Sequence, residues 1–380
     1  MKKSGRKRKF KSIYLMLLII VLVIISLFAG GLFLKFWSMG NNTIKIDTNT
    51  ITANSQNKFS IEFGKKSKLI CTAGYIVKDN DGFLEWINDQ GTVVQKSQTK
   101  LIDPIIKSDG DFLIAAEMNG RNVEVYNKLS LAWKTEIEDN IQNVNVNRNG
   151  YAAVVRAYPG FKSAVEVYNQ KGKKLYFSCR ADNTIVEAFV LPNNITTVLN
   201  TLNTNACALE SIIEMLQMKS GKVEVIKKFA LDNSLVLKLQ TLGDSSFILA
   251  SQNDVTGVND AGAIIYKKKF KRVQSISAFN NDTSAIAGVE QDKKTNKNVV
   301  EFINSKNEPL NALQFDAVIK GMVAGKDVII VNLGRKVVIM NRHGRILGGA
   351  TASSDILKVD FISNNKAIAI TSDNAIICNY

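Results

Sequence analysis

The hydrophobic pattern divides this chain into one long uncharged run near its start and many short apolar runs after residue 58. The long run, Ile13–Leu34, contains 22 residues without a charged side chain. At a rise of about 1.5 Å per residue it makes a helix of about 33 Å, which can cross a hydrocarbon core of about 30 Å. The pattern therefore predicts one transmembrane helix at residues 13–34.

Basic residues crowd the segment ahead of this run. Residues 1–12 contain seven Lys and Arg residues, Lys7, Arg8 and Lys9 among them, and no acidic residue. The positive-inside rule therefore predicts a cytoplasmic N-terminus and an extracytoplasmic remainder, with Trp37 as an aromatic anchor at the outer interface. A cleaved signal peptide is the alternative, but its apolar core would be only about 7–15 residues long. We favour an uncleaved anchor in the lipid bilayer of the cell membrane.

After the anchor, the composition changes twice. Residues 35–57 are rich in Asn, Thr and Ser and predict a stalk, which is followed by one domain at residues 58–380. Within that domain the apolar runs are short and β-type, and turn residues separate them. The nearest candidate for an amphipathic helix is Ala208–Lys219.

A unit of about 40 residues recurs eight times in this domain. Its recognisable part is an apolar strand that ends in Asn or Lys, as in Val123–Asn127, Val165–Asn169 and Val337–Asn341. Four short strands in about 40 residues are typical of a β-propeller blade. We predict an all-β propeller of eight four-stranded blades, closed by an N-terminal strand at Phe59–Phe63 that completes the last blade. A seven-bladed ring or an open array of sheets is the alternative.

The turns between the repeated strands carry a resemblance to a known family. The segments Asn88–Val94, Asn169–Tyr176 and Asn341–Leu347 resemble the D/N-x-x-G-x-x-L/W turn of PQQ-like propellers, which joins the two outer strands of each blade. An anchor followed by such a propeller is similar to an uncharacterised family of clostridial membrane proteins. The resemblance covers roughly residues 59–380 and implies the fold. Quinone binding is not implied, because the Trp-rich repeats and metal ligands of quinoprotein dehydrogenases have no match here.

Charge and cysteine content narrow the expected partners. The formal net charge is +15, and residues 36–380 contain 41 basic and 34 acidic side chains. Such a domain could be drawn to anionic wall polymers or lipid head groups, although a solvated Lys-rich surface is the simpler interpretation. No element typical of nucleic-acid binding is visible. The four cysteines are far apart and form no C-x-x-C, so we favour separate core residues over a metal site.

Loop length suggests which face binds a partner. The loop between the second and third strands of each blade is expected to be enlarged in blades three to six, at 157–162, 200–209, 252–262 and 291–298. Binding residues concentrate on loops held by a rigid scaffold, and exposed aromatics often anchor a partner. The candidate binding residues are Tyr158, Phe161, Asn200, Asn203, Asp254, Asp260 and Asp292.

Recognisable catalytic chemistry is missing from the sequence. The only histidine, His343, falls in a turn, so a catalytic triad or a His-based metal site has no candidate, and no cofactor is expected. We predict a non-enzymatic scaffold that binds an envelope protein or polymer. The alternative is a hydrolase or lyase acting on cell-wall glycans through acidic loop residues, which requires two carboxylates within about 5–10 Å.

Overall fold

Eight β-sheets surround a central channel in the computed structural model of this chain. The structure describes residues 43–46, 56–61, 68–204, 209–231, 234–279, 283–291 and 296–380. These residues form 33 strands, which build an eight-bladed β-propeller. The expected all-β class and the number of blades are therefore confirmed.

Each blade uses four successive strands, except that the last blade takes one from the N-terminal side. Two strands precede the blades: β1 (Thr43–Ile46) and β2 (Gln56–Ser60). Blade one contains β3 (Leu69–Thr72), β4 (Tyr75–Asn80), β5 (Phe83–Ile87) and β6 (Val93–Gln98), and blade two contains β7 (Pro104–Asp109), β8 (Phe112–Glu117), β9 (Asn122–Asn127) and β10 (Ser130–Glu136). Blade three contains β11 (Ile141–Val146), β12 (Ala152–Tyr158), β13 (Phe161–Tyr168) and β14 (Lys174–Arg180), and blade four contains β15 (Asn183–Val190), β16 (Thr196–Asn203), β17 (Glu210–Lys219) and β18 (Lys222–Ala230). Blade five contains β19 (Lys238–Leu242), β20 (Ser246–Ala250), β21 (Asp254–Asn259) and β22 (Ile264–Lys269), and blade six contains β23 (Arg272–Ala278), β24 (Thr283–Gln291), β25 (Asn296–Asn304) and β26 (Pro309–Phe315). Blade seven contains β27 (Gly321–Ala324), β28 (Val328–Asn332), β29 (Lys336–Asn341) and β30 (Ile346–Thr351). Blade eight contains β31 (Lys358–Ser363), β32 (Lys366–Ile370) and β33 (Asn374–Asn379), with β2 as its fourth strand.

The middle strands of each blade explain the short apolar runs in the sequence. In β8, Leu113, Ile114, Ala115 and Ala116 are all fully buried. Each blade packs between two neighbours, so its second and third strands have no solvent face and read as continuous apolar runs rather than alternating ones. The outer strands, such as β18, are largely exposed.

The hydrophobic core consists of separate clusters between neighbouring blades. The described residues form eight clusters, one at each interface between consecutive blades around the ring. At the closing interface, Ile76 and Ile87 of blade one pack in one cluster with Ile368 and Ile377 of blade eight. The ring is therefore closed by a core of the same kind as its other interfaces.

An N-terminal strand completes the last blade, as expected. Strand β2 pairs antiparallel with β33, and Phe59 and Ile61 pack into the closing cluster. The strand begins at Gln56, three residues before the expected start. A further strand, β1, lies within residues 35–57, where a stalk was expected, and pairs in parallel with β26 as a fifth strand of blade six.

Three local expectations need correction. Residues 210–219, part of the helix candidate, form strand β17 because they pair with β16 and β18 on both sides. The expected loop of blade three is a tight turn, since Tyr158 pairs directly with Phe161. In blade five, the supposed loop at 252–262 contains β21. Thr256, which is polar, and Gly257 interrupt the apolar pattern of β21. The sequence pattern therefore favours β22 as the third strand of the blade, although β22 is its fourth, outer strand.

The two faces of the disc carry different connections. The turn face carries the turns between first and second strands and between third and fourth strands of each blade. The connection face carries the loops between second and third strands and the links from one blade to the next. The enlarged loops expected between the middle strands of blades four and six fall largely at 205–208 and 292–295, which lie outside the described residues.

The Asn-x-x-Gly turns identified in the sequence share one hydrogen-bonding pattern. In the turn of blade three, the Asn169 side-chain Oδ1 accepts hydrogen bonds from the backbone N–H groups of Lys171 and Lys173, each at 3.0 Å. The same pattern recurs at Asn88, Asn259, Asn304 and Asn341. Gly172 then adopts a φ of 76°, in the left-handed region that favours glycine.

Gly172→Ala is expected to destabilise the fold by about 2–4 kcal/mol, as backbone strain adds to overpacking. A Cβ atom at Gly172 would lie 2.8 Å from the ring of Trp133 in the neighbouring blade. Gly221→Ala is the matched control, because its φ is 77° and no heavy atom lies within 4 Å of the added Cβ. Urea unfolding of both variants measures the difference. Equal losses would show that the Trp133 contact contributes nothing.

The N-terminal predictions concern residues that lie outside the part of the chain that the structure describes. Residues 13–34, Lys7, Arg8, Lys9 and Trp37 are among them. Within the described ranges, no helix is long and apolar enough to cross a membrane. Cys71, Cys179 and Cys378 are free thiols, and Cys207 falls in the gap at 205–208.

Candidate functional site

The two aromatic candidates from the sequence meet on the connection face of blade three. The ring centroids of Tyr158 and Phe161 are 5.4 Å apart. Phe177 of β14 packs edge-on against Tyr158, with 4.9 Å between the two ring centroids. Phe161 is exposed, whereas Tyr158 is half-buried. The pair thus forms a small aromatic surface at the end of a hairpin rather than a raised loop.

Below these rings lies a buried ion-pair cluster centred on Arg156. Its guanidinium contacts Glu166 at 2.8 Å, Asp139 at 2.5 Å and Glu138 at 3.3 Å. Arg156 and Glu166 are 2% and 1% exposed, so both charges depend on these partners. The guanidinium carbon also lies 5.0 Å from the Tyr158 ring centroid, within cation–π range.

Glu166 stays ionised although it is buried. Burial opposes ionisation, but hydrogen bonds from Tyr168 and Lys174 and the charge of Lys174 outweigh it, so the pKa of Glu166 is lowered. Burial, together with the hydrogen bond to Glu166 and the charge of Glu166, raises the pKa of Tyr168. The cluster joins β12, β13 and β14 to the link from blade two, which is a structural role.

The polar candidates from the sequence do not share one surface. Asn200 is buried within β16, and its Oδ1 lacks a hydrogen-bond partner in the described structure. The side chain of Asn203 donates to Glu210 at 3.3 Å across the β16–β17 pair. Asp254 begins β21 on the connection face, where its N–H donates to Ser251 Oγ at 3.1 Å.

Asp260 and Asp292 complete this set. Asp260 lies in the β21–β22 turn on the opposite, turn face, where it accepts a hydrogen bond from Asn193 at 3.2 Å. Asp292 falls outside the described residues. The six candidates that the structure describes therefore divide between blade interiors and both faces.

A cavity of about 1090 Å³ opens instead on the turn face, at the mouth of the central channel. Its rim is built by the turns between first and second strands, at residues such as Gly74, Gly110, Lys326 and Asn364. Its walls are the first strands of the blades, which line the channel. The charged and phenolic side chains at the cavity are Asp109, Asp111, Arg148, Lys238, Lys326, Asp327, Lys358, Asp360 and Tyr380.

Arg148 and Asp109 meet on one side of this mouth. Asp109, at the end of β7, accepts a hydrogen bond from the Arg148 backbone N–H at 3.0 Å. Burial raises the pKa of Asp109, while the Arg148 charge acts against that rise. The Arg148 side chain donates to the Gly243 carbonyl of blade five at 3.2 Å, and its buried Nε lacks a partner in the described structure.

Lys238 lies deeper, on the first strand of blade five. Its Nζ donates to the carbonyl of Ile276 at 2.7 Å, and burial lowers its pKa. The adjacent first-strand side chains Gln240 and Gln274 each have a buried Oε1 without a partner among the described residues. This side of the channel thus presents the Lys238 amine to whatever enters, while the two glutamine oxygens are enclosed by protein atoms.

Asp360 and Lys358 form the opposite wall, on the first strand of blade eight. Their charged atoms are 3.9 Å apart, and Lys358 also donates to the Leu69 carbonyl at 3.2 Å. Burial raises the pKa of Asp360, with Lys358 and backbone hydrogen bonds from Phe361 and Cys71 opposing the rise.

Asp360→Asn is expected to remove a contribution to stability that falls as the pH rises. Because the pKa of Asp360 is raised on folding, the native state holds this proton more tightly than the unfolded chain does. Asp360 therefore favours the folded state at low pH, and that contribution is lost as the pH rises from the unfolded value through the folded pKa. The unfolding midpoint of the variant, measured relative to that of the unmodified protein, should rise between pH 4 and pH 7. An unchanged slope would contradict this assignment.

An ion pair crosses the channel further from the mouth. Lys107 of blade two contacts Glu187 of blade four at 2.9 Å, and the side chain of Asn145, on the blade between them, donates to Glu187 at 3.1 Å. The channel is therefore obstructed on the side of blades two to four. Within the described residues, no three His, Cys, Asp or Glu side chains gather as a metal site.

Sequence reasoning missed the channel mouth although a signal was present. The first strand of several blades carries polar and charged residues, as in Lys238–Leu242 and Lys358–Ser363, whereas the middle strands are apolar. In a propeller the first strands face the channel, so polar first strands indicate a wet channel. Loop length drew the prediction to the connection face instead.

Comparison with solved structures shows the same fold at low sequence identity. Saccharomyces cerevisiae Sqt1 matches with a TM-score of 0.58 and 13% identity, covering 84% of this chain and 97% of Sqt1. A structure of the eukaryotic initiation factor matches with a TM-score of 0.56 and 9% identity, covering 82% and 85%. Dihydro-heme d1 dehydrogenase NirN, in complex with DHE, matches with a TM-score of 0.51 and 13% identity, covering 80% and 68%. These likenesses extend to the fold alone.

Sequence comparison places the chain in a family. No curated protein matches it. One protein family matches residues 46–378, which make up nearly the whole propeller. The chain belongs to the family of unknown function DUF5711.

Proposed function

We propose that this protein is a membrane-anchored, extracytoplasmic scaffold that binds a partner of the cell envelope through the channel mouth on its turn face. The observation that carries the proposal is the cavity of about 1090 Å³, lined by charged side chains of both signs. A concave site with a few converging polar groups is the default binding site of a rigid fold. The fold alone assigns no activity.

The chemistry of the mouth favours a protein segment over a wall polymer. Asp109 and Asp360 stand across the cavity from Lys238, with Arg148 at the rim. A polyanionic polymer would meet the two carboxylates as well as the cations, which disfavours it. A polypeptide loop carries N–H donors, carbonyl acceptors and side chains of both signs, so it complements a mouth of mixed charge.

The anchor is part of the proposal and rests on the sequence. Ile13–Leu34 is long enough to span a bilayer, and the basic residues before it set the orientation. Extraction of native membranes with alkaline carbonate tests it. The full-length protein is expected to remain in the pellet, and release into the supernatant would contradict the anchor.

Glycan hydrolysis by the acidic loop residues is the less favoured alternative. Asp254 and Asp260 lie at opposite ends of β21. Six residues of strand span about 20 Å, well beyond the 5–10 Å that a pair of glycosidase carboxylates requires. This separation supports binding over catalysis at these residues.

Site-specific photo-cross-linking in intact membranes tests the proposed binding site. A photoreactive residue at Lys326, on the rim of the mouth, is expected to capture a partner protein. The same residue at Ser372, on the connection face, is the matched control and should capture none. Both positions are exposed.

Substitutions within the mouth give the second arm of this test. Lys238→Gln removes the amine from the channel wall and is expected to reduce capture from Lys326 at least about tenfold, the effect of losing one charged contact with the partner. Capture only from Ser372 would overturn the proposed face. Retention of glycan instead of protein would move the assignment to polymer binding.

A further inference from the structure

The lysines of the outer strands are concentrated on two neighbouring blades. The eight fourth strands of the blades contain ten lysines, and six of them lie in β18 and β22 of blades four and five. These two strands contain only one acidic residue, Glu224. On the opposite edge of the ring, in blades eight and one, β2 and β6 contain one lysine each. The edge of the disc is therefore strongly basic on one side.

Four of these lysines are free of carboxylate partners. Lys228 pairs with Glu214 at 3.1 Å and Lys268 with Glu301 at 3.2 Å. Among the described residues, no carboxylate lies within ion-pair distance of the remaining four, which are Lys222, Lys227, Lys267 and Lys269. All four are exposed. We call these four side chains the lysine edge.

Exposed apolar side chains lie between these charges. Val225 of β18, Ile264 of β22 and Leu310 of β26 are all exposed on the outer strands of blades four to six. Lysines mixed with apolar side chains suit the head-group region of a bilayer, where the amines reach phosphates and the apolar groups lie deeper.

A second observation, independent of charge, places the membrane beside this edge. Strand β1 runs in parallel with β26 on the outer edge of blade six, the neighbour of blade five. Ile46 is 3% exposed and belongs to the core between blades six and seven, which holds β1 in place. Lys45 also contacts Asp316 at 3.6 Å. Among the described residues, the chain therefore first meets the propeller at Thr43, on the edge of blade six.

The length of chain before Thr43 limits where the bilayer can be. Only residues 35–42 separate the proposed anchor from β1. Eight residues span at most about 29 Å. Thr43 is separated from the far edge of the ring by the widths of two blades and by the channel. Each blade of four strands is about 14 Å wide. Residues 35–42 are thus too few to let that far edge reach the membrane, whereas blades four and five lie close to Thr43 on blade six.

We infer that the propeller stands on its edge against the membrane, with the lysine edge bound to anionic phospholipid head groups. This inference rests on the anchor in the proposed function. It leaves both faces of the disc, including the channel mouth, free for a partner. Each lysine near an anionic membrane surface strengthens binding by about fivefold, so four of them hold the orientation once the anchor has brought the surface close.

Lysine acylation of the full-length protein in nanodiscs tests the inference. Discs contain either phosphatidylcholine alone or 30% phosphatidylglycerol, and mass spectrometry follows the labelling rate of each lysine. The lysine edge should be labelled about fivefold or more slowly in phosphatidylglycerol discs. Lys100 and Lys134, exposed on the opposite edge, should be labelled at equal rates in both. Equal rates at the lysine edge in both discs would overturn the inference.

A variant pair separates lipid contact from other causes of protection. Replacing Lys222, Lys227, Lys267 and Lys269 with Gln should abolish the phosphatidylglycerol-dependent protection of the neighbouring Lys219 and Lys271. Replacing Lys58, Lys100, Lys128 and Lys134 with Gln removes the same charge from the opposite side and should leave that protection intact. Loss of protection in both variants would overturn the lysine edge as the contact.

Two further outcomes have distinct meanings. If the protein fails to co-migrate with the discs, the anchor itself is wrong, and the proposed function fails with it. If the anchor holds but soluble polyphosphate protects the lysine edge while phosphatidylglycerol does not, the lipid inference is overturned and the surface belongs to a soluble polyanion. The proposed function survives that second outcome.

Discussion

Replacing Arg156 with Met is expected to lower the free energy of unfolding by about 3–5 kcal/mol, the loss typical of breaking a buried ion pair from one side. Arg156 is 2% exposed and Glu166 1% exposed, so the substitution leaves the Glu166 charge buried and without one of its ion-pair partners. Lys174 and Tyr168 remain, but neither replaces the guanidinium, which also binds Asp139. Urea denaturation of the soluble propeller measures the loss.

Arg335→Met is the matched control for this experiment. Arg335 also pairs with a carboxylate, that of Asp355 at 3.0 Å, but the two side chains are 67% and 76% exposed. An exposed ion pair contributes only about 0–1 kcal/mol, since water solvates both groups well. If the two Arg→Met substitutions cost the same, burial of the Arg156 cluster does not determine its contribution to stability.

Removing the closing strand is expected to have the second large effect. A chain that begins at Glu62 lacks β2, which leaves the edge of β33 unpaired and removes Phe59 and Ile61 from the closing core. Burial of two such side chains contributes about 3–5 kcal/mol. The unpaired edge also becomes a template for association with another chain. We expect a lower unfolding midpoint and concentration-dependent oligomers by light scattering.

A chain that begins at Ser55 is the control for this truncation. It lacks the proposed anchor and β1 but keeps β2, so the ring remains closed. It should stay monomeric, with a midpoint well above that of the shorter chain. Equal midpoints would mean that β2 does not close the ring, and the interface between blades one and eight would then hold without it.

Agreement between sequence and structure is best where the local pattern has one physical meaning. The Asn-x-x-Gly turns form as expected, because an Asn side chain can bond two backbone N–H groups and Gly172 tolerates a positive φ. The middle strands were also found, since burial on both faces demands continuous apolar runs. Blade five was misassigned because Thr256 and Gly257 interrupt that run within a real strand.

The candidate site was harder to predict because its residues converge from distant parts of the chain. Asp109, Arg148, Lys238 and Asp360 belong to blades two, three, five and eight, and no local spacing links them. Tyr158 and Phe161 do lie side by side, because they are three residues apart across one turn. Asp254 and Asp260 were also near in sequence, but a strand separates them and places them on opposite faces.

By itself, the amino-acid sequence determined that the domain is an eightfold repeat of short strands, joined by specific turns and closed by a strand from its N-terminal side. Those features depend on local periodicity and turn chemistry, which neighbouring residues decide. Only the tertiary structure decided that polar first strands meet at a channel mouth, that β1 attaches the chain to blade six, and that the lysines share one edge. These features depend on strand register and on the order of the blades around the ring. A shift of one residue in register moves a side chain to the other face of its sheet, and the order of the blades decides which side chains become neighbours.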